Sequence, residues 1–207
     1  MRIIILKIYW EKLFSHFYFK TMKRKFLKIV YSLIIALAIV SCSSLKESVY
    51  KSDYPLSSER AKSISKSFSL QIPDGWFSTA DNEKNSFELW LNNKDNSAAI
   101  TFINIIADEK AVESDNELEK LLNYSKVVKK AELGKNYKEL EYEEYFELNG
   151  TPCAALVFIN KENKKGRIVV FEFDGHYYES TATVLNEEKI SEKDLFVIQN
   201  SVLKTIY

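Results

Sequence analysis

Few residues of this chain have the type and spacing that catalysis requires. Residues 42–207 contain a single histidine, His176, and a Ser-His-Asp triad would need it as the base, yet no G-x-S-x-G motif is present. This histidine follows Asp174-Gly175, a pair typical of a hairpin turn, where a polar residue is expected in any protein. We therefore predict that His176 is an exposed or packing residue and that the chain has no catalytic site.

Candidate metal ligands are equally sparse. One histidine and no pair of thiols leave only carboxylates, which would suit Ca²⁺ or Mg²⁺. Asp81-Asn82-Glu83 and Asp108-Glu109 are acidic, but neither has the ligand spacing of a calcium loop. The five glycines are expected singly at turns and form no phosphate-binding loop. The sequence predicts no metal and no cofactor.

A cysteine and a row of glutamates each allow a structural and a functional interpretation. Cys153 follows Thr151-Pro152 at the start of an apolar run, which favours a buried, inert thiol over a redox or dimerisation role. The glutamates alternate with Leu140, Tyr142, Phe146 and Leu148, so they predict one acidic strand face. A solvated face that discourages edge aggregation is favoured, and attraction of a basic partner is the alternative. These glutamates are Glu139, Glu141, Glu143 and Glu147.

Four aromatic residues supply the remaining binding-site hypothesis. They stand near the ends of predicted strands, where aromatic side chains more often fill the core than bind a ligand. The alternative is a ligand groove lined by Trp76, Trp90, Tyr177 and Tyr178.

The net charge of zero conceals a strong asymmetry along the chain. Residues 1–41 contain eight basic side chains and one acid, Glu11. Subtracting these from the 29 of each sign leaves 21 basic and 28 acidic groups, a net charge of −7, for residues 42–207. A basic, apolar head on an acidic body is typical of a targeting segment, and the body has no broad basic surface for nucleic acid.

The most specific motif of the chain lies at the end of that head. A basic stretch at residues 22–25 precedes twelve uncharged residues, 29–40, too few for a bilayer-spanning helix of about 20. The tetrapeptide Ile39-Val40-Ser41-Cys42 resembles the bacterial lipobox. This resemblance implies diacylglyceryl transfer to the Cys42 sulfur, cleavage between Ser41 and Cys42, and acylation of the new terminus, with palmitate as an expected acyl group. An uncleaved signal anchor is the alternative.

The lipobox resemblance also implies a location. Two or more acyl chains on Cys42 would hold the protein stably on a membrane, whereas one chain binds marginally. Ser43, and not Asp, follows the cysteine. By resemblance to enterobacterial sorting, we expect the outer membrane, facing the periplasm, in preference to the inner membrane. The acidic body favours a protein or another cell-envelope component as partner, because like charges repel it from anionic lipid.

We divide the chain into four segments. Residues 1–21 precede a complete signal peptide, so we expect translation to begin at Met22, with an extended basic region as the alternative. Residues 22–41 are the predicted signal peptide. Residues 42–66, rich in Ser and Lys, are predicted to be the lipid anchor and a flexible tether. Residues 67–207 are long enough for one domain.

The pattern of residues 67–207 predicts an α+β domain. Alternating or apolar runs separated by turn residues indicate a mainly antiparallel sheet of about six to seven strands, and two capped, periodic segments starting near Ser114 and Ser191 indicate helices packed on it. The opening strand with Ile72-Pro73-Asp74-Gly75-Trp76, the run 171–178 and the last helix with 200–203 resemble the PsbP-like superfamily. That resemblance implies a central antiparallel sheet sandwiched by helices.

Members of this superfamily share a shape and not a reaction, so the fold alone leaves the function open. We expect a non-catalytic binding or assembly-accessory lipoprotein. A small-ligand-carrying envelope protein is the alternative, followed by a hydrolase. A deep apolar pocket would indicate a carrier, and a concave cluster of titratable groups would indicate an enzyme.

Overall fold

A seven-stranded antiparallel sheet is the central layer of the structure, a computed structural model that describes residues 46–79, 87–106 and 117–207. A separate sheet of two strands and two α-helices accompany it within those ranges. The α+β class and the expected antiparallel sheet with two packed helices are confirmed. The strands are β1 Leu56–Lys62, β2 Ser69–Pro73, β3 Trp76–Ser78, β4 Leu89–Asn93, β5 Ala98–Ile105, β6 Tyr137–Leu148, β7 Thr151–Asn160, β8 Lys165–Phe173 and β9 His176–Val184; the helices are α1 Glu117–Leu133 and α2 Glu192–Leu203.

The strand order of the large sheet is β3-β4-β5-β9-β8-β7-β6, and β1 pairs with β2 in the small sheet. Strands β6 to β9 form a meander, as predicted, because short turns connect them. Asn149 and Gly150 have φ angles of 51° and 85°, and Asp174 and Gly175 have 51° and 72°. Two consecutive positive φ angles twist a two-residue turn in the sense that an antiparallel hairpin requires.

The two faces of the large sheet bury separate cores. Helix α2 and strands β1 and β2 cover one face, where Leu70, Phe102, Phe171 and Leu195 pack together. Helix α1 covers the other face over β7 and β8, where Leu122, Leu156 and Ile168 form the second core. The sheet therefore lies between two covering layers, as the PsbP-like resemblance implied.

The local sequence accounts for the first residue of α2 and for the last residue of α1. Ser191 is the N-cap of α2, and its Oγ accepts a hydrogen bond from the backbone N–H of Asp194 at 3.1 Å, as the capping pattern predicted. Helix α1 ends at Leu133, before Gly134, whose φ of 50° suits glycine. The predicted N-terminal cap of α1, Ser114, lies outside the described residues.

The prediction of a flexible tether over residues 42–66 is wrong for residues 46–66. Strand β1 pairs with β2 through Arg60↔Gln71 and Lys62↔Ser69, and Lys46 forms a bridge with Phe146 of β6. The composition misled because only Ala61 of β1 is buried; backbone pairing with β2, and not apolar alternation, holds this strand in place. The folded domain thus includes residues 46–66, and a boundary at residue 67 would remove β1.

The predicted acidic face of β6 is also wrong, because a β-bulge changes the strand's register. Leu140 pairs with Phe158, whereas Tyr142 pairs with the next residue, Val157, so Glu141 is the extra residue. Leu140 therefore packs in the core under α1, while Tyr142 packs in the core under α2. A shift of one residue exchanges faces, so the four glutamates do not share one.

Candidate functional site

The predicted lipidation and cleavage residues, Cys42 and Ser41, lie outside the described residues, as do the acidic motifs at 81–83 and 108–109. Among the residues that the structure describes, no group of three or more His, Cys, Asp or Glu side chains could hold a metal ion. Over the same ranges, no helix has the length and apolar character needed to cross a bilayer.

The structure does not bring the four aromatic candidates into one groove. Trp76 and Tyr178 are buried in the core under α2. Tyr177 precedes Tyr178 on β9, so its side chain lies on the opposite face, where its hydroxyl donates to Glu117 of α1 at 3.0 Å. Trp90 alternates with the buried Leu89 and Leu91 in the same way, so it also faces away from Trp76. Core packing accounts for Trp76 and Tyr178.

His176 and Cys153 occupy positions without convergent chemistry. His176 is exposed at the start of β9, and its Nδ1 lies 2.9 Å from the carbonyl oxygen of Asp174. Cys153 is a free cysteine, and its side chain is buried, as predicted. Burial raises the pKa of its thiol to about 12, which keeps it in the unreactive protonated form at neutral pH.

A buried arginine that the sequence analysis did not single out forms the most developed polar site in the described residues. Arg167 lies near the start of β8 and is fully buried, with an exposed fraction of 0%. Its Nη1 donates to Gln199 Oε1 at 3.0 Å and to Asn200 Oδ1 at 2.8 Å, both on α2. Its Nη2 forms an ion pair with Glu144 Oε1 of β6 at 2.7 Å. The guanidinium therefore ties β8 to both a helix and the edge strand of the sheet.

Burial sets the electrostatics of this site. Loss of hydration lowers the pKa of Arg167, and the carboxylate of Glu144 opposes that shift. The Glu144 side chain is itself only 10% exposed. A buried charge of this kind requires a close counter-ion and full hydrogen bonding. Most donors of the guanidinium have acceptors, although Nε has none among the described residues.

Residues 46–54, here called the strap, lie along the groove between β6 and α2 and complete this network. The Oγ of Ser48 donates to Glu144 Oε1 at 3.1 Å, and the backbone N–H of Val49 donates to Glu144 Oε2 at 3.0 Å. The Tyr50 ring lies over the Arg167 guanidinium at 5.1 Å, within range of a cation–π contact. The strap therefore covers the ion pair.

Three further contacts fix Tyr50. Its carbonyl oxygen accepts a hydrogen bond from Asn200 Nδ2 at 2.8 Å, and its hydroxyl accepts one from the Tyr142 hydroxyl at 2.7 Å. Its ring meets Phe196 edge-on, with centroids 5.2 Å apart. Burial and the bond to Tyr50 raise the pKa of Tyr142, so that hydroxyl remains a donor at neutral pH.

A cleft of about 410 Å³ lies beside the strap. Its lining is mostly polar and charged and includes Ser48, Tyr50, Asn149 and Lys204. None of the four aromatic candidates lines it. This cleft does not have the largely apolar lining of a pocket that carries a small hydrophobic ligand.

Comparison with known proteins supports the fold. No protein-family model matches the chain, and no curated protein matches it. The solution structure of cyanobacterial PsbP (CyanoP) from Synechocystis sp. PCC 6803 matches with a TM-score of 0.51 and 12% identity, covering 72% of this chain and 91% of that one. The chain thus has a PsbP-like fold. At this identity, the match establishes the fold alone.

Two other solved structures are more distant. A protein from Bacteroides thetaiotaomicron VPI-5482 has a TM-score of 0.42 and 12% identity, covering 72% of this chain and 47% of that one. A Pseudomonas aeruginosa protein of unknown function has a TM-score of 0.30 and 15% identity, covering 56% of this chain and 76% of that one. None of the three is named as an enzyme.

Proposed function

We propose that this protein is a non-catalytic binding module of the bacterial cell envelope, held on a membrane by acyl chains on Cys42. One observation carries the binding role: Glu144 of the buried Arg167–Glu144 pair accepts a hydrogen bond from the backbone of the strap. The lipobox resemblance of residues 39–42 supports the anchor. A buried carboxylate that accepts from a backbone N–H suits recognition of another chain.

The position of the strap supports a module held close to the bilayer. Lys46, which already pairs with β6, follows Cys42 by four residues. An extended chain of that length reaches no further than about 14 Å. A lipid on Cys42 would therefore keep the β6 edge and the adjoining cleft near the headgroups as long as the strap is docked.

The acidic character of residues 42–207 supports a protein or cell-envelope component as partner, and not the lipid surface. A net charge of −7 disfavours contact with anionic headgroups within a Debye length of about 8 Å. The outer membrane, facing the periplasm, remains the proposed location because Ser43 follows the cysteine.

The anchor is tested by replacing each of the two cysteines in turn. Cys42→Ala should abolish labelling by a palmitate analogue and release or mislocalise the protein, because the thioether requires the thiol. Cys153→Ala is the matched control and should label and fractionate as the wild type does. If Cys42→Ala still fractionated with membranes and its labelling were unchanged, the lipoprotein assignment would be wrong.

The sorting proposal has its own test. Ser43→Asp should move the protein from outer-membrane to inner-membrane fractions in an enterobacterial host, without changing acylation. Unchanged fractionation of this variant would contradict the proposed sorting signal while leaving the anchor intact.

A further inference from the structure

The side chains of the groove that the strap occupies bind the polypeptide backbone of the strap. Three backbone groups of the strap bind to side chains of the groove. The N–H of Val49 donates to Glu144 at 3.0 Å, and the carbonyl of Tyr50 accepts from Asn200 at 2.8 Å. The N–H of Tyr54 donates to the Oγ of Ser201 at 3.0 Å. The strap bends at Val49 and Tyr50, where the N–H of Tyr50 donates to the Oγ of Ser48 at 3.2 Å. Because nearly every peptide carries these backbone groups, they define a requirement for backbone shape and not for sequence.

Two strap side chains add selectivity. The hydroxyl of Ser48 reaches both oxygens of Glu144, at 3.1 and 3.3 Å. Two residues later, Tyr50 covers the Arg167 guanidinium and bonds to the Tyr142 hydroxyl. The pattern that fits is therefore a small hydroxyl residue, any residue, and a tyrosine.

The groove is built by groups that do not belong to the strap. Arg167 fixes Glu144 at 2.7 Å and Asn200 at 2.8 Å from within the core. Gln199 completes this support by donating to the carbonyl of Ser180 at 3.0 Å. Binding groups that are held in place by a buried neighbour lose little entropy when a ligand arrives.

We propose that the groove between β6 and α2 is a peptide-binding site, that the strap occupies it in cis, and that its partner is a Ser-x-Tyr segment of another chain that displaces the strap. Displacement has a second consequence for an anchored protein. With the strap released, the free connection would run from Cys42 to about residue 54, and its extended reach would increase from about 14 Å to about 40 Å. Partner binding would thereby let the domain move away from the membrane.

The test uses the full chain in detergent and a fluorescein-labelled peptide with the sequence of residues 46–55. In the wild type, the cis strap competes at an effective concentration of about 1 mM, so the peptide should bind weakly. The variant Ser48→Gly/Tyr50→Gly keeps Arg167 and Glu144 but weakens the strap. We expect this variant to bind the peptide at least about tenfold more tightly than the wild type by fluorescence polarisation, because it removes that competitor.

Control peptides distinguish specific binding in the groove from non-specific binding of the peptide to the protein. A peptide with an N-methyl group at the Val49 position cannot donate to Glu144 and should lose binding. A tyrosine-to-phenylalanine change at position 50 should weaken binding about fivefold, the equivalent of about 1 kcal/mol for one hydrogen bond. Equal binding of a scrambled peptide, or no saturable binding to a cooperatively folded variant at about 1 mM peptide, would overturn the proposal.

A measurement on the wild type covers the case in which the glycine variant fails to fold. An excess of unlabelled peptide should increase hydrogen exchange at the amides of Val49 and Tyr54 if it displaces the strap, and unchanged exchange would contradict displacement. Peptide recognition by the groove rests on the proposed binding role and not on the anchor, whereas the change in reach from the membrane rests on both. Peptide binding can therefore fail while Cys42 is acylated, and acylation can fail while the peptide binds.

Discussion

Replacing Arg167 by methionine should destabilise the domain more than any surface ion-pair substitution. The change removes the guanidinium but keeps a long, apolar side chain, so it creates little empty volume. It leaves the Glu144 carboxylate, whose side chain is 10% exposed, without its cation. It also leaves Gln199 Oε1 and Asn200 Oδ1 without the donor that Nη1 supplied.

The expected loss is about 3–5 kcal/mol, because removing one member of a buried pair strands the other charge in a poorly hydrated site. A domain of this size has about 5–15 kcal/mol of stability in total. Replacing both members by methionine should cost less than the sum of the single changes, by at least about 2 kcal/mol, because the double variant strands neither charge. The coupling free energy between Arg167 and Glu144 is therefore the quantity that tests the buried pair.

Urea unfolding of the full chain, followed by tryptophan fluorescence, measures these values for Arg167→Met, Glu144→Met and the double variant. The matched control is Lys165→Met, two residues earlier on β8. Lys165 pairs with Glu141 of β6 at 2.6 Å, but both side chains are about one-third exposed, so its loss should cost no more than about 1 kcal/mol. Additive single losses, or equal losses for Arg167→Met and Lys165→Met, would refute the reasoning.

Three other substitutions test local features. Gly166→Ala should cost about 1–3 kcal/mol in urea unfolding, because the added methyl group would collide with the Phe158 ring, and Phe158→Leu in the same chain should recover part of that loss. Ser191→Ala should cost about 1 kcal/mol by removing the N-cap of α2, and no loss would show that the cap is unimportant. Burial raises the pKa of Cys153 to about 12 from 9.0, so its stabilising effect is complete below pH 9 and is lost as the pH rises toward 12. Relative to Cys153→Ala, the wild type should therefore lose about 2 kcal/mol between pH 8 and about pH 10.5, and parallel pH profiles would contradict the burial effect.

The sequence was sufficient for the meander and both helices because each is specified locally. Asn149-Gly150 and Asp174-Gly175 provide the positive φ angles that hairpins need, and Ser191 provides a helix cap. Strand β1 lacks such a signal. It belongs to a two-stranded sheet that leaves most of its side chains exposed, and its partner β2 supplies the hydrogen bonds. A strand held mainly by its neighbour's backbone has no alternating pattern to detect.

The error on β6 has a different cause. Alternation assigns every second residue to one face only if the strand has no bulge. The extra residue at Glu141 reverses the assignment of Glu139 and Leu140, so Leu140 and Tyr142 face opposite layers although they are two residues apart. The bulge arises from the pairing of β6 with β7, and a local stretch of sequence does not reveal that pairing.

The sequence alone did not identify Arg167, because its partners come from β6, α2 and the strap. Only the folded domain brings these partners together. A partial signal does exist on β6. Glu144 has the same parity as Phe146 and Leu148, which are buried, so its carboxylate must point toward the core. A carboxylate at an inward position needs a buried cation. Arg167 is the basic residue that opens the apolar run Ile168–Phe171 on β8, two strands away, and α2 interrupts its own apolar stripe with Gln199 and Asn200. An inward acid, a base before an apolar strand and paired amides on a buried helix face together indicate one internal network. The pairing of the strands then places this network next to the strap, so a segment of polypeptide covers it.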